Sequence, residues 1–583
     1  MKWKQKNPSL KTICDVVKSN TGLSEKELLN DEKEYEIKEI KKVIELLDEA
    51  SKNNTFVTVI GDYDTDGVTS STEWEFMLRA KKIPHRIRLP KRHSEGYGLN
   101  VNIIDEIDEG IVLTVDNGIA AIPAIDKAKK KGLTVIVVDH HQPVVRDGKV
   151  ILPNADIIID PHAIPGQADF IEYCGAGLTY KIAEKWFNKD DYIMKKLVSF
   201  AAIGTVGDVV PLLGDNRKIV KKGLQSMVQN GGRSIGLLKL MQLFNLNERV
   251  TAEDIGFSLS PAINACGRLG APIAPKEADQ ALELLTFNGD FDTAASMADA
   301  IAGRNLESGL SVNESRKEQV KKADKMAEEI IQNEAMYGDA PLVLALPNIN
   351  EGIVGIVAGH LLEKYGVPVL VLTNSAKDPD VLKGSGRSIP SVNLKELLDK
   401  CKDDLLGYGG HPGAAGLSLR REMLDTFRDD LQDNIGEFKY VDSTEPTYDL
   451  EIKEEDIEKL IPELDKFGPY GNGNPQPVFL IRNFKLYPRG SDMFVLSGSE
   501  QEHISFFGAQ TKMNAFWLHD KYVSLGEPKC LNLIGTLDVS YFKGSPYYGL
   551  KVIDMEKGEE VKKPKTFLAR KFLEKTMAAG MKL

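Results

Sequence analysis

At 583 residues the chain exceeds what one hydrophobic core can fill, so roughly three or four domains are expected. Hydrophobic residues at 42% and charged residues at 27% exclude a disordered or collagen-like chain, and a formal net charge of −12 excludes a surface that is basic all over. Contact with a nucleic acid must then come from a local patch or from bound cations.

Met1 to Asn20 alternates charges with short apolar stretches and lacks the continuous apolar region of a secretory signal, so no export is expected and residues 1–50 read as a helical N-terminal extension. The five cysteines, Cys14, Cys174, Cys266, Cys401 and Cys530, are scattered and without CxxC spacing. That disfavours both a disulfide framework and a zinc ribbon and fits a reducing cytoplasm. A helical pattern from Glu25 to Lys52 gives way to the β-rich run Thr55 to Ile60. Similar apolar strands recur at Ile111 to Val115 and Thr134 to Val138, separated by the helix-like Ala120 to Lys131; this alternation is the signature of a parallel α/β sheet. None of these runs approaches the ~18 residues of a membrane span, and no membrane contact is expected. In such sheets the ligand site lies outside the carboxyl ends of the strands, so loops opened by Asp62, Asp116 and Asp139 should converge in one crevice. Between Arg79 and His93 stand seven Lys or Arg residues and no acid, a density suited to tracking a nucleic-acid backbone, although a solvated helix face would look similar.

The stretch Leu197 to Leu310 reads as mostly helical and completes a domain over residues 51–310. Asn313 to Glu334 is a charged helix spaced to join two bodies, a linker over 311–335. A second α/β unit over 336–440 has strands at Leu342 to Leu346 and Val367 to Leu372, with glycine-rich turns at Gly384 to Ser388 and Gly407 to Gly416, and should fold alone. From 441 to 560 the texture changes to shorter β segments, with Gly544-Ser-Pro546 as a hairpin turn, which suggests a small oligonucleotide-binding (OB) type β-barrel. Tyr470, Phe506, Phe507, Tyr541 and Tyr547 are candidates to stack on bases, although most aromatics on strands are core. Residues 561–583 form a basic tail, more often a solvated end than a nucleic-acid arm. The fold class expected is α/β: two parallel-sheet α/β domains joined by a long helix, plus a C-terminal OB-type β-barrel.

Gly61-Asp62-Tyr63-Asp64-Thr65-Asp66-Gly67 places three carboxylates on alternate positions after a buried strand. Like charges so close raise one another's pKa unless cations neutralise them, so a divalent-metal site is the simplest explanation. The plainer readings are a solvated Asp/Gly turn or a calcium loop; an EF-hand is excluded because the later ligands ending in Glu are missing. Asp116-Asn117-Gly118 and Asp139-His140-His141 add polar ligands at the ends of two further apolar strands. Asp208, in Gly204 to Leu212, lies between apolar stretches and needs a partner if buried. Mixed carboxylate and imidazole ligands suit Mn²⁺ or Mg²⁺ better than a thiolate-rich zinc centre.

Asp139-His140-His141 is the tripeptide for which DHH phosphoesterases are named, and Gly61 to Gly67 resembles their first motif. Asp116-Asn117-Gly118, the Asp208 loop, Pro261 to Arg268, Gly384 to Ser388 and Gly409 to Gly416 follow in the order found in RecJ-like exonucleases, a resemblance that runs from about residue 50 to 555. It implies that Asp64, Asp66, Asp116, His140 and Asp208 hold two ions, Mn²⁺ or Mg²⁺, with Asp116 bridging them. For Asp62 and His141 it leaves open whether they ligate, orient a ligand or touch the substrate phosphate. It further implies phosphate contacts by Asn264, Arg268, Ser385, Arg387, Ser388 and His411. The segment Arg92 to Leu99 resembles one leading back to the metal cleft, and Phe467 to Phe479 the entry to the barrel domain. Departures are Ala262 and Gly359-His360, where the family commonly has Arg and Ser-Arg, and Gly207 and Thr65, where small apolar residues are usual.

The function implied is processive hydrolysis of single-stranded DNA from the 5′ end with release of mononucleotides, by a cytoplasmic monomer acting in DNA repair beside partners such as a single-strand-binding protein or a helicase. Alternatives within the same resemblance are a phosphodiesterase for short oligoribonucleotides or cyclic dinucleotides, opposed by the chain's length, and a non-catalytic replication scaffold, opposed by the complete ligand set.

Overall fold

A computed structural model describes residues 3–559 apart from 31, 147, 230–231, 305–308, 437–445, 491, 499 and 543–544; the basic tail expected at 561–583 lies outside the described residues. Two units are formed. One comprises Asn30–Ser443 with Gly468–Asn474, the other Met1–Leu29, Thr444–Phe467 and the chain from Pro475 on.

In the first unit, strands β1 (Val57–Ile60), β2 (His85–Arg88), β3 (Ile111–Val115), β4 (Thr134–Val138) and β5 (Ile157–Ile159) form a parallel sheet in the order β2-β1-β3-β4-β5. Its central strands are continuous β-branched and apolar runs because both faces are covered. Leu113, Val115, Ile136 and Val138 face a core with Leu47, Trp74 and Tyr173, whereas Val112, Val135 and Val137 face one with Ile103 and Ile125. The register pairs Ile60 with Thr114, Val115 with Val138, and Val138 with Ile159, which brings the carboxyl ends level, so the loops after β1, β3, β4 and β5 leave from one edge. The helix expected over Glu25 to Lys52 is instead two, Glu25–Leu28 and Ile40–Asn53. Between them Ile37 forms a bridge with Ala168, and the Lys38 amide donates to the Gln167 carbonyl at 2.9 Å, so tertiary pairing overrides local propensity.

Helices α1 (Thr65–Ala80), α2 (Gly175–Trp186), α3 (Tyr192–Gly207) and α4 (Gly214–Met227) pack beside the sheet. A π-helical turn, Ile255–Leu259, leads into α5 (Ser260–Leu269), and α6 (Val312–Asn333) is the linker helix. A second sheet follows: β6 (Leu342–Ala345), helix α7 (Val354–Tyr365), then β7 (Val369–Asn374), β8 (Val381–Arg387), β9 (Leu405–His411) and β10 (Ala414–Arg420), in the order β9-β10-β8-β7-β6. It is mixed rather than wholly parallel: β6 and β7 run parallel, and the other pairs are antiparallel. The glycine-rich segments read as turns are themselves strands; glycine at 384 and 386 admits Leu372 and Leu394 against the sheet, and the turn proper is Pro412-Gly413. Nor does this lobe have a core of its own throughout. Val320, Ala323, Ala327 and Ile331 of α6 join Leu344, Val357 and Val371 to Leu240, Ile263 and Leu285 in one buried cluster, whereas the other face of the sheet has a core of its own around Leu370, Leu394 and Phe427.

The other unit is built on seven strands in the order Leu450–Ile452, Phe479–Lys485, Cys530–Phe542, Ser545–Lys557, Lys512–Ala515, His503–Phe507, Phe494–Ser497. Among the described residues the two outer strands of this sheet do not pair, so its ladder is open, as a partly open OB barrel allows. Phe542 pairs with Ser545 across the hairpin, whose turn at 543–544 lies outside the described residues. The N-terminal segment up to Leu29, read as part of a helical extension over 1–50, belongs to this unit. Lys4–Gln5 pairs in parallel with Thr447–Tyr448, and buried Trp3 packs on Tyr448, Leu480 and Ile534 while its Nε1 donates to Asp554 Oδ2 at 2.9 Å. Of the stacking candidates Phe506 and Phe507 are core and Tyr541 is exposed; Tyr547 is half-buried, with the Arg489 guanidinium 5.0 Å from its ring.

Candidate metal centre and phosphate cleft

The loop from β1 to α1 turns so tightly that Asp64 becomes the N-cap of α1, its side chain accepting from the Gly67 amide at 3.1 Å. Asp62 and Asp66 are thereby driven inward and are fully buried. Asp66 is fixed by two amides of the next layer, Gly175 at 2.6 Å and Ala176 at 2.8 Å, at the start of α2. Asp62 Oδ1 accepts from the Gly98 amide at 3.1 Å, but its Oδ2, though buried, has no hydrogen-bond partner. After β3, Asp116 takes the left-handed conformation, φ 60°, that Asp tolerates better than most residues. Its Oδ1 lies 3.0 Å from His140 Nε2, and its Oδ2 is the second buried carboxylate oxygen of the cluster left without a partner. Asp208 caps the end of α3 and reaches within 3.7 Å of His140 Nε2, as Asp66 does.

Potential ligand atoms thus gather in three overlapping groups, Asp62 with Asp64 and Asp116, Asp66 with His140 and Asp208, and Asp116 with His140 and His141; within each group they lie within 4.8 Å of one another. Burial and mutual repulsion make this arrangement costly for bare carboxylates. Burial pushes Asp116 and Asp208 well above the usual carboxylate range, with Asp66 and Asp64 adding to it; burial and Asp64 push Asp66 up to about 6. Asp62 is raised too, by burial and then by Asp64. The two histidines are driven apart. Burial, reinforced by the charge of His141, pushes His140 down to about 3, so it is a neutral donor of a lone pair; for His141 burial acts downward but the hydrogen bond and charge of Asp139 prevail and push it up to about 9. Buried oxygens without partners, several acids and a neutral imidazole fit a divalent cation of oxygen-preferring type.

His162 and Tyr97, which shape the centre, escaped sequence reasoning, and Asp139, read with the strand-end ligands, takes a different role. Asp139 is not a ligand candidate: its Oδ1 accepts from the His140 amide at 2.8 Å and lies 2.8 Å from His141 Nδ1, and its Oδ2 accepts from the Ile119 amide at 2.8 Å, so it is the clamp that aims both histidines. His162, after β5, holds the His140 carbonyl at 2.7 Å. The Tyr97 hydroxyl donates to the Asp116 carbonyl at 2.6 Å and lies 3.1 Å from His141 Nε2. The signal for His162 was available, because β5 is a fourth apolar strand ending in Asp160-Pro-His162.

Of the phosphate-contact candidates, Arg268, Ser385, Arg387 and His411 stay near the site. Arg268 Nη1 donates to the Gly352 carbonyl at 3.2 Å, and burial, then the charges of Arg92 and Arg316, disfavour its cationic form, so an anion here is welcome. Arg387 Nη1 donates to Ser385 Oγ and to the Gly386 carbonyl, both at 2.9 Å, and is lowered by burial. His411 is exposed and close enough to His140 for its charge to be felt there. Two candidates have partners of their own. Asn264 Oδ1 accepts from the Thr65 amide at 2.8 Å, and buried Ser388 donates to the Val392 carbonyl at 2.7 Å, so both brace loops. The basic stretch from Arg79 to His93 is not one surface: Arg79 pairs with Glu75, Arg88 with Glu95 and Glu106, and Lys81 Nζ donates to the Trp186 carbonyl at 3.0 Å. Arg92, by contrast, lies 4.8 Å over the ring of Tyr63 beside the carboxylates.

Two departures from the family pattern compensate each other. A Cβ added at Gly207 would sit 2.7 Å from Thr65 Cγ2, so the threonine methyl fills space that a side chain at 207 would need. Gly207→Ala is expected to destabilise the protein by about 1–3 kcal/mol through overpacking, and Thr65→Ala in the same chain to recover part of it, because the Thr65 Cβ at 3.0 Å and Ser260 Oγ at 3.1 Å still crowd the site, as thermal unfolding would record.

Matches to known families cover most of the fold: the DHH family, N-terminal domain over residues 56–205, the DHHA1 domain over 339–437 and the RecJ OB domain over 448–554. The single-stranded-DNA-specific exonuclease RecJ of Dickeya dadantii is 31% identical over 482 residues, which span 76% of this chain and 77% of that protein. RecJ of Bacillus subtilis is 32% identical over 466 residues, 78% of this chain, but the chain spans 55% of that longer relative. Among solved structures, Thermus thermophilus RecJ with Mn²⁺ shares the fold at a TM-score of 0.72 and 24% identity, covering 95% of this chain and 77% of that one. An exonuclease RecJ bound to manganese matches at a TM-score of 0.55 and 28% identity, over 70% of this chain and 96% of that one.

Proposed function

Because this chain belongs to the RecJ family of DHH-type, single-stranded-DNA-specific exonucleases, we propose that it removes mononucleotides from the 5′ end of single-stranded DNA with two divalent cations, Mn²⁺ or Mg²⁺. The observation that carries the reading is the pair of buried carboxylate oxygens without partners, Asp62 Oδ2 and Asp116 Oδ2, inside a cluster drawn from separate loops. Asp62, Asp64 and Asp116 would hold one ion and Asp66, His140 and Asp208 the other, with Asp116 common to both. Bound there, such ions activate water and stabilise the charge on the phosphate as its oxygens enter and leave.

The chain's own groups bind and orient. His140 is neutral and suited to ligate. His141, its Nδ1 taken up by Asp139 and its Nε2 3.1 Å from the Tyr97 hydroxyl, is assigned to the substrate phosphate rather than to an ion. Arg268, Arg387, Ser385 and His411, with Arg92, form the clamp on the terminal phosphate; Asn264 and Ser388 support it through the loops that they brace. The domain division proposed is a DHH lobe up to the linker helix, a DHH-associated lobe after it and a barrel that holds the strand.

The same reading makes the chain a cytoplasmic monomer that works with a single-strand-binding protein or a helicase. The five free cysteines support a reducing setting, and no helix among the described residues is long and apolar enough to cross a membrane. Digestion of 5′- and 3′-labelled strands of DNA and RNA with Mn²⁺ tests polarity and product. Labelled mononucleotide should appear at once from the 5′-labelled DNA and last from the 3′-labelled strand; release from the 3′ end first, or inertness on every polymer with activity on dinucleotides, would overturn the proposal.

A further inference from the structure

The segment Gly468–Asn474 follows a helix of the barrel unit, Ile457–Phe467, and precedes a strand of the same unit, Phe479–Lys485, yet it packs as part of the catalytic unit. There it meets the loop that follows Asp208. The Asn472 side-chain amide donates to the Val209 carbonyl at 2.6 Å, and the Leu212 amide donates to the Asn472 carbonyl at 2.8 Å. The fit is close: a Cβ at Gly471 would lie 2.7 Å from Leu212 Cδ1, and one at Gly473, whose φ is 73°, would lie 3.0 Å from Pro211 Cβ.

Val209 needs such a hold. Its φ of 60° puts a β-branched side chain in the left-handed region, where it is a strained outlier, and it is 64% exposed, so packing of the side chain does not compensate. The backbone of Asp208 itself is tied to α3 through its amide, 2.8 Å from the Gly204 carbonyl, and its carboxylate has the distant His140, at 3.7 Å, as a neighbour. Val209 is held on both sides, its amide donating to the Val206 carbonyl at 3.2 Å and its carbonyl accepting from Asn472 at 2.6 Å, and the peptide between it and Asp208 sets where Asp208 points. Without the Asn472 bond only the longer one from its amide would oppose relaxation of Val209 to an ordinary φ, a relaxation that would turn the peptide and carry the carboxylate away from His140 and Asp66.

We infer that Asn472 is a positioning residue for Asp208, supplied to the metal centre from the barrel end of the chain, an inference that rests on the assignment of Asp208 as a metal ligand. Asn472→Ala removes the donor, and Asn472→Asp removes it while keeping the shape. In the full-length protein each should raise the Mn²⁺ concentration for half-maximal activity about 10-fold, as loss of a supporting hydrogen bond does at metal sites. KM for single-stranded DNA should stay within about twofold and calorimetric Mn²⁺ affinity should fall in parallel, while on an Asp208→Asn background Asn472→Ala should change neither quantity further. An unchanged Mn²⁺ dependence in both Asn472 variants, with Asp208→Asn impaired, would overturn the inference while leaving the ligand assignment intact. Equal losses with and without Asp208 would also overturn it, by reducing Asn472 to a structural role. An Asp208→Asn variant with wild-type Mn²⁺ binding and activity would instead overturn the ligand assignment, and the inference with it.

Discussion

Asp116→Asn is expected to lower kcat by at least about 10³-fold, or ~4 kcal/mol of barrier, without lowering the stability of the metal-free protein. Both halves follow from the same geometry. Asp116 sits between the two ligand groups, with Oδ1 3.0 Å from His140 Nε2 and Oδ2 buried without a partner, so it is the carboxylate whose charge both ions would share. Asparagine tolerates the left-handed backbone at this position and keeps the shape of the side chain, so the strand and loop need not move. It also removes a buried charge that burial and the neighbouring Asp66 and Asp64 already disfavour. A variant that is inactive and at the same time as resistant to unfolding as the wild type in chelator would show that Asp116 is retained for chemistry. Loss of stability in step with loss of activity would show instead that it holds the fold.

Mn²⁺ should raise the unfolding midpoint by several degrees, and the gain should grow between pH 5 and pH 7. At 100 times its dissociation constant a bound ion contributes about 2.7 kcal/mol. The pH dependence comes from the carboxylates. In the metal-free protein Asp66 is raised from 3.8 to about 6, by burial and then by Asp64. A carboxyl whose folded value lies above its unfolded value contributes stability that is fully present below the unfolded value and is lost as pH rises through the folded one. The carboxylates of the chelated protein should therefore cost stability as pH rises from about 4 through 6, Asp62, Asp116 and Asp208 acting in the same direction as Asp66, while His140, lowered to about 3, acts the other way. Cations compete with those protons, so they should stabilise most where the carboxylates are ionised. Differential scanning calorimetry with and without Mn²⁺ over this range checks both trends; a metal effect that is flat with pH would separate the ions from these carboxylates.

The catalytic edge was legible in the sequence because its grammar is local. A buried apolar strand followed at once by an acid recurs at Asp62, Asp116 and Asp139, and the parallel register then brings those loops together. What each polar group does there was less legible, because it depends on partners distant in sequence. Asp139, the first residue of the motif, is consumed by the amides and ring it orients, and Tyr97 reaches the Asp116 carbonyl across the sheet edge. Asn264, expected to contact phosphate, has its side-chain oxygen on the Thr65 amide, a bond that joins it to the metal loop. Composition misled where it carried no geometry. The seven basic residues before His93 pair largely with Glu75, Glu95 and Glu106 or with backbone, and the glycines at 384 and 386 serve close packing of a strand rather than a turn. Asn472 was invisible for a different reason: its partner Val209 is remote in sequence, and nothing in a Gly-Asn-Gly run says which unit it will join.

Anomalous diffraction at the manganese edge, from crystals of the full-length protein grown with Mn²⁺, tests the central claim most directly. Two peaks roughly 3.5–4 Å apart are expected, one among Asp62, Asp64 and Asp116 and one among Asp66, His140 and Asp208, with an Asp116 oxygen near both. A single peak, or manganese bound away from these side chains, would contradict the account.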